Sequence, residues 1–221
     1  MCSSDLVYVK VGAARPYYDT ALAVKAGADV VVMDGMQGGT AATQDVLIEH
    51  CGIPTLAAIR PAVQALQELG MHRNVQLIVS GGIRSGADVA KALALGADAV
   101  SIGTAALIAL GDNHPRWEEE YRKLGTTAGC YDDWHEGKDP AGITTQDPVL
   151  TRRLDPVLAG RRLANYLSVL TLECQTIAMA NGKSHVHNLE PEDLVALTVE
   201  AAAMAQVALA GTDWIPGRGR D

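Results

Sequence analysis

The chain reads as an α/β protein: the C-terminal half of a (β/α)8 barrel, its last four βα units, followed by a helical C-terminal segment. Three observations predict this. Four short runs rich in β-branched residues lack polar alternation, as strands covered on both faces do. Helical patterns separate them, and the resulting order β-α-β-α-β-α-β goes with a parallel sheet and crossover connections. The last two runs each lead through glycines into the start of a helix, at the place where barrels commonly bind phosphate.

Residues 1–6, MCSSDL, form an atypical leader. The first strand is Val7 to Val11, and a helix follows from Tyr18 to Ala26. The second strand is Val30 to Met33, with helical patterns at Thr43 to His50 and Pro61 to Leu69 behind it. Val75 to Val79 is the third strand, Ser85 to Leu95 the next helix, and Ala99 to Ile102 the fourth strand, so residues 7–112 make up the half-barrel. The phrase AGAD or LGAD stands at Ala26 to Asp29 and again at Leu95 to Asp98, each time between a helix and a strand, where glycine suits a left-handed helix terminus. Residues 113–150 collect charge, Gly and Pro and read as a long functional or packing loop. Residues 151–211 hold the C-terminal helices: a long amphipathic one from Val157 to Ala178, and an Ala-rich one from Pro191 to Val207 that opens on proline and acidic residues. Residues 212–221 are a tail.

A complete barrel takes about 250 residues, so four βα units imply an upstream half that was lost or lies on another chain, with the outer strands left as open edges. A small doubly wound sheet is the competing architecture. It calls for a dinucleotide-type glycine turn after the first strand, and Val11-Gly12-Ala13-Ala14-Arg15 does not fit that fingerprint.

With 221 residues, 48% of them hydrophobic, the chain can bury a sizeable core. Its net charge of -8, without a long basic stretch, argues against nucleic acid as a partner. No apolar run of about 18 residues and no basic-then-apolar leader is present, which argues against a membrane span and points to the cytoplasm. Cys2, Cys51, Cys130 and Cys174 show no metal-ligand spacing, so no metal site is expected. His185 and His187 alternate before a helix start, where capping or surface hydrogen bonding outweighs chelation.

The strongest local signal is Ile78-Val79-Ser80-Gly81-Gly82-Ile83-Arg84-Ser85-Gly86, a strand passing through paired glycines into a helix. Glycines let the backbone approach an anion, and the helix that opens near Ser85 is expected to aim unsatisfied N–H groups at it. Ser101-Ile102-Gly103-Thr104 repeats the arrangement, so its amides and the Thr104 hydroxyl would complete a phosphate cradle. Either turn alone reads equally well as a tight turn; the pair, about 20 residues apart, favours phosphate binding.

These residues carry a resemblance. VSGGIRSGADVAKALALGADAVSIGTAALIALG is similar to the FMN phosphate site of the glutamate synthase family, and VVVMDGMQGGTAATQ resembles the strand-loop segment beside the flavin. DPAGITTQDP and GKSHVHNLEPEDLVAL are similar to segments that follow the barrel there, and the branch most resembled is the flavin-binding subunit of N-methylglutamate synthase. The resemblance implies FMN as cofactor, held by Lys10, Ser80, Gly81, Gly82, Arg84, Gly103 and Thr104, with Lys10 beside the N1–O2 edge of the ring. It implies catalytic roles for Lys10, Asp34 and Gln37, and contacts from Gly38, Gly39 and Thr40 to a dicarboxylate substrate. The family often carries an acidic residue where Ser80 stands.

A further departure lies downstream. The three cysteines that hold an iron–sulfur cluster in glutamate synthases are matched here by Ala128, Trp134 and Asp139, and Cys130 alone cannot hold a cluster, so none is expected. The reading implied is action on glutamate, 2-oxoglutarate or their imine with ammonia or methylamine, other subunits supplying ammonia or the missing half-barrel. A non-catalytic phosphate-binding or assembly fragment is the alternative. Another FMN barrel oxidoreductase ranks last, because 2-hydroxyacid oxidases carry a catalytic histidine where this chain has Asp34-Gly35-Met36-Gln37.

Overall fold

The computed structural model describes residues 5–36, 44–127 and 136–218. Four strands, β1 (Tyr8–Gly12), β2 (Val30–Asp34), β3 (Gln76–Ser80) and β4 (Ala99–Ser101), form one parallel sheet in the order β1-β2-β3-β4. Between and after them come α1 (Pro16–Lys25), α2 (Asp45–His50), α3 (Thr55–Glu68), α4 (Gly86–Ala94) and α5 (Thr104–Leu110). Further along the chain come α6 (Glu118–Lys123), α7 (Pro148–Thr151), α8 (Pro156–Ala180) and α9 (Val199–Ala205). A parallel sheet with alternating helices and a helical C-terminal segment is the architecture that the sequence predicts.

Period-two geometry sorts the strand residues onto two faces. On one, Val31, Met33, Leu77 and Val79 are fully buried against α3 residues such as Ala58, Ala62 and Leu66 and against Ala202 of α9. The other carries Lys10, Val32, Asp34, Ile78 and Ser80 and is only partly covered. In register, Asp34 lies beside Gly12 on one side and Ser80 on the other, and Ser80 lies beside Ser101, so these strand ends line up at one edge of the sheet.

The repeated Gly-Ala-Asp phrase has a structural counterpart. Gly27 and Gly96 adopt φ of +96° and +107°. Each following aspartate clamps the neighbouring strand at two points. Asp29 donates its amide to the Val7 carbonyl at 3.0 Å and accepts the Val7 amide on Oδ2 at 2.8 Å. Asp98 does the same to Leu77, at 2.8 and 2.7 Å.

Two expected helix boundaries move. The helix expected from Pro61 begins at Thr55 and carries Pro61 inside it. A proline there forfeits one intrahelical bond, but Thr55 Oγ1 anchors the helix start by donating to the carbonyls of Ser80 (3.0 Å) and Gly81 (2.9 Å), and the apolar face of α3 is buried. The single helix expected from Pro191 to Val207 is instead a short 3-10 turn at Pro191–Asp193, an extended stretch and then α9. Ala196 donates to Ala208 O at 2.9 Å and accepts from Ala210 N at 2.8 Å, so this backbone is paired across the chain before Thr198 caps α9.

The described part of the long loop packs around a buried acid. Asp139 is 0% exposed and accepts hydrogen bonds from the amides of Ala141 (2.9 Å), Ile143 (2.7 Å) and Thr144 (2.9 Å) and from the Tyr121 hydroxyl (2.9 Å). Asp112, also buried, contacts the same hydroxyl at 3.0 Å. Burial, and then the nearby Asp139, push the Asp112 carboxyl above the usual range, against the opposing pull of the Tyr121 hydrogen bond. Helix α8 packs along α4 and α5. The approach to α4 is close enough that a Cβ on Gly86 would sit 2.3 Å from Leu170 O. Among the described residues no helix is long and apolar enough to cross a membrane.

Candidate functional site

A cavity of about 660 Å³ opens at the C-terminal ends of the strands, a volume in the range of small-molecule pockets. Lys10, Asp34 and Ser80 line one part of it; the turns Gly81–Arg84 and Ser101–Ala105 line another. The sheet explains the convergence, because side chains two residues apart on β1 and at paired positions on β2 and β3 share one face.

The polar part is a connected set. Lys10 Nζ lies 2.9 Å from Asp34 Oδ2, and the Ser80 hydroxyl donates to Asp34 Oδ1 at 2.5 Å. Lys10 is 57% exposed along its side chain whereas Asp34 is 12% exposed, so the ammonium is presented at the cavity rather than sunk in the core.

The two glycine turns differ in what their amides do. Gly81 and Gly82 have φ of +106° and +75°, a conformation that side-chain-bearing residues seldom adopt. The Gly35 amide donates to the Ser80 carbonyl at 2.9 Å, and Thr55 holds the same peptide from behind, which fixes the loop. The amides of Gly82, Gly103 and Thr104 donate to no protein acceptor among the described residues. Most of those at the start of α4 are spent, contrary to the expectation for the helix opening near Ser85. Arg84 and Ser85 donate to Asp88 Oδ2, Ser85 Oγ accepts from Asp88 N in a capping box, and Gly86 donates to Glu173 Oε2 at 2.8 Å. Helix α5 has no such cap: its N-cap is Gly103, with no side-chain bond.

Arg84 is largely exposed, with its Nε 3.9 Å from Asp88 Oδ2, while its carbonyl accepts the Tyr166 hydroxyl at 2.8 Å. Tyr166 comes from α8 and lines the cavity. Burial, and then the nearby Asp88 and Glu173, raise its hydroxyl above the ordinary tyrosine range. No sequence signal marked Tyr166, since it reaches the cavity through the packing of α8. The structure thus brings together Lys10, Asp34, Ser80, Gly81, Gly82, Arg84, Gly103 and Thr104. Gln37, Gly38, Gly39 and Thr40 lie outside the described residues, as do Ala128, Cys130 and Trp134.

Away from the cavity, His185 and His187 stack at 5.2 Å between ring centroids. His185 Nδ1 accepts the His187 amide, and His187 Nε2 contacts Asp98 O, so both rings serve local hydrogen bonding. Among the described residues no group of three or more His, Cys, Asp or Glu is placed to hold a metal ion.

The chain is similar to proteins of one enzyme group. It is 84% identical over 213 residues to a glutamate synthase large subunit-like protein of Rhizobium meliloti, covering 96% of this chain and 48% of that protein. It is 45% identical over 166 residues to an archaeal-type glutamate synthase (NADPH) of Thermotoga neapolitana, covering 75% of this chain and 30% of that one. With an archaeal glutamate synthase (NADPH) of Methanocaldococcus jannaschii the identity is 41% over 184 residues, covering 83% and 33%. The chain therefore spans about half or less of the length of these curated relatives. Among solved structures, a mutant flavocytochrome b2 with benzoylformate superposes with a TM-score of 0.51 at 18% identity, over 87% of this chain and 35% of that one, a likeness of fold. The model of the conserved region in glutamate synthase matches residues 1–184, which takes in all four strands and both glycine turns, and the chain belongs to the glutamate synthase family.

Proposed function

We propose that this chain forms the FMN-binding part of a glutamate synthase-type oxidoreductase acting on glutamate or 2-oxoglutarate and an amine. The observation that carries this reading is the cavity lined both by Lys10 and by Gly82, Gly103 and Thr104, whose amides donate to no protein acceptor among the described residues. Those groups fit FMN. Three main-chain donors and the Thr104 hydroxyl suit a phosphoryl group, and a Cβ added at Gly103 would meet no atom of the described residues within 4 Å beyond its chain neighbours, which leaves room for a ligand.

Bound FMN supplies reversible hydride acceptance at this site. Lys10 offers a fixed positive charge to the ring edge, and Asp34 keeps the ammonium in place. Gln37 is proposed to act with them, and Gly38, Gly39 and Thr40 to hold the substrate carboxylates.

The finer reading is amine exchange of the N-methylglutamate synthase type. Glutamate loses a hydride and a proton to become the imine, methylamine displaces ammonia, and the hydride and proton return to give N-methylglutamate. Glutamate plus methylamine thus gives N-methylglutamate plus ammonia, and no outside electrons are consumed. Making glutamate from 2-oxoglutarate and ammonia consumes two, which calls for an electron donor and a relay. The fate of Asp139 supports the first case. It stands where the resemblance puts a cluster cysteine, and its oxygens are occupied by four protein donors, an arrangement that does not fit an iron–sulfur ligand set. We therefore propose a cytoplasmic protein without a cluster, working with other subunits or chain segments.

Titrating the purified chain with FMN tests the cofactor: binding is expected to quench flavin fluorescence, and a folded chain that leaves it unchanged is the assembly fragment instead. Methylamine-dependent ammonia release from glutamate, with no electron donor added, tests the chemistry in the full assembly. Rapid flavin reduction by NADPH through an iron–sulfur partner, with no response to methylamine, overturns the finer reading.

A further inference from the structure

We infer that Asp34 is a positioning residue that works with Ser80 as one unit across β2 and β3, so that Ser80 meets the ligand as a hydrogen-bond acceptor. The inference rests on the FMN reading and deepens it. Asp34 and Ser80 are register partners, 46 residues apart in sequence and adjacent in the sheet. A serine hydroxyl has one proton and two acceptor lone pairs. The proton of Ser80 goes to Asp34 Oδ1. What Ser80 has left for the cavity is acceptor capacity alone, which selects a ligand group that donates, such as a hydroxyl of a polyol chain.

The other carboxylate oxygen has a second task. Asp34 Oδ2 holds Lys10 Nζ at 2.9 Å and leaves the remaining ammonium protons to face the cavity. One carboxylate on the middle of three adjacent strands therefore orients a donor on β1 and an acceptor on β3. The pair Lys10 and Asp34 carries no net charge, so an anionic ligand meets no uncompensated carboxylate.

Because the two positions are adjacent in register, the carboxylate and the hydroxyl are interchangeable in principle. The swapped double variant D34S/S80D keeps one carboxylate, one hydroxyl and a bond between them. FMN dissociation constants of the wild type, S80A, D34S, S80D and D34S/S80D test the unit, with circular dichroism recorded on each. S80A is expected to weaken FMN about 5- to 10-fold, through loss of one hydrogen bond. D34S, which has no carboxylate, and S80D, which has two, are expected to weaken it about tenfold or more. The swapped variant restores the carboxylate–hydroxyl bond but moves the carboxylate off the strand beside Lys10. It is therefore expected to recover part of the affinity and to lose less than the two single changes together, a non-additivity that independent side chains do not show. The midpoint potential of bound flavin should shift in D34S and stay shifted in the swap, because both lack the carboxylate on the strand beside Lys10. If S80A binds FMN as wild type does, or the folded swap loses as much affinity as the two single changes together, the unit is refuted while the FMN reading stands. If wild type itself binds no FMN, the underlying reading fails instead.

Discussion

The two strand-turn-helix units at the cavity have the same plan and opposite accounts. At the start of α4 most donors are met from within the protein: Asp88 takes the Arg84 and Ser85 amides, and Glu173 from α8 takes that of Gly86. At the start of α5 no side chain among the described residues caps the helix, and the amides of Gly103 and Thr104 meet no acceptor among those residues. Helix termini must satisfy their orphan groups with caps, water or ligands. In the proposed reading the first terminus is an element of stability and the second an element of binding, although the two motifs look equivalent as sequence.

The sharpest way to break this comparison is a matched pair of glycine changes. Gly86→Ala drives a methyl to within 2.3 Å of Leu170 O and 2.4 Å of Glu173 Cβ, so it should cost about 3 kcal/mol in urea denaturation as α8 is pushed from α4. Gly103→Ala meets nothing, so stability should stay within about 0.5 kcal/mol while FMN affinity falls tenfold or more. Equal stability losses would erase the distinction.

Smaller effects come from the caps. Ser85→Ala removes the hydroxyl of the capping box and should cost about 1 kcal/mol of stability with FMN affinity nearly unchanged. Thr104→Ala should do the reverse, weakening FMN about fivefold by titration and leaving the melting temperature in place. A Thr104→Ala protein that melts earlier but binds normally would place this residue on the structural side.

The same contrast of met and unmet demand recurs at Tyr121, with the smallest expected effect. Asp139 has four donors, whereas Asp112 shares only the Tyr121 hydroxyl among the bonds described. Its carboxyl is raised in the folded protein, so the native state binds more protons than the unfolded state between the ordinary carboxylate value and the raised one. This contribution is fully present below the unfolded value and is lost as pH climbs through the folded one. Denaturation midpoints measured across that window should fall with pH, and Asp112→Asn should flatten the slope. A variant with an unchanged slope would assign the pH dependence to other groups.

Much of the sheet was legible because β-branched runs and the glycine before each Asp29 or Asp98 act locally. Local signals failed where distant pairing decides. Pro61 looked like a boundary because its cost is local, whereas Thr55 earns the extra turns by bonds to a strand 25 residues away. Pro191 to Val207 had helical composition, yet Ala196 pairs with the chain beyond α9. In the candidate site the glycine turns and Lys10 could be picked out by residue type. Glu173 as a competitor for the Gly86 amide could not, since it arrives 87 residues later on another helix. Nor could the bond between Ser80 and Asp34, which depends on register.

The two-point clamps of Asp29 on Val7 and Asp98 on Leu77 sit at the strand beginnings, the end of the sheet remote from the cavity. A parallel pair that slips by one residue turns every side chain to the wrong side. By locking alignment at the far end, these carboxylates free the near end from that duty. Residues at the strand tips can therefore be exchanged for the sake of new chemistry without the sheet losing its place.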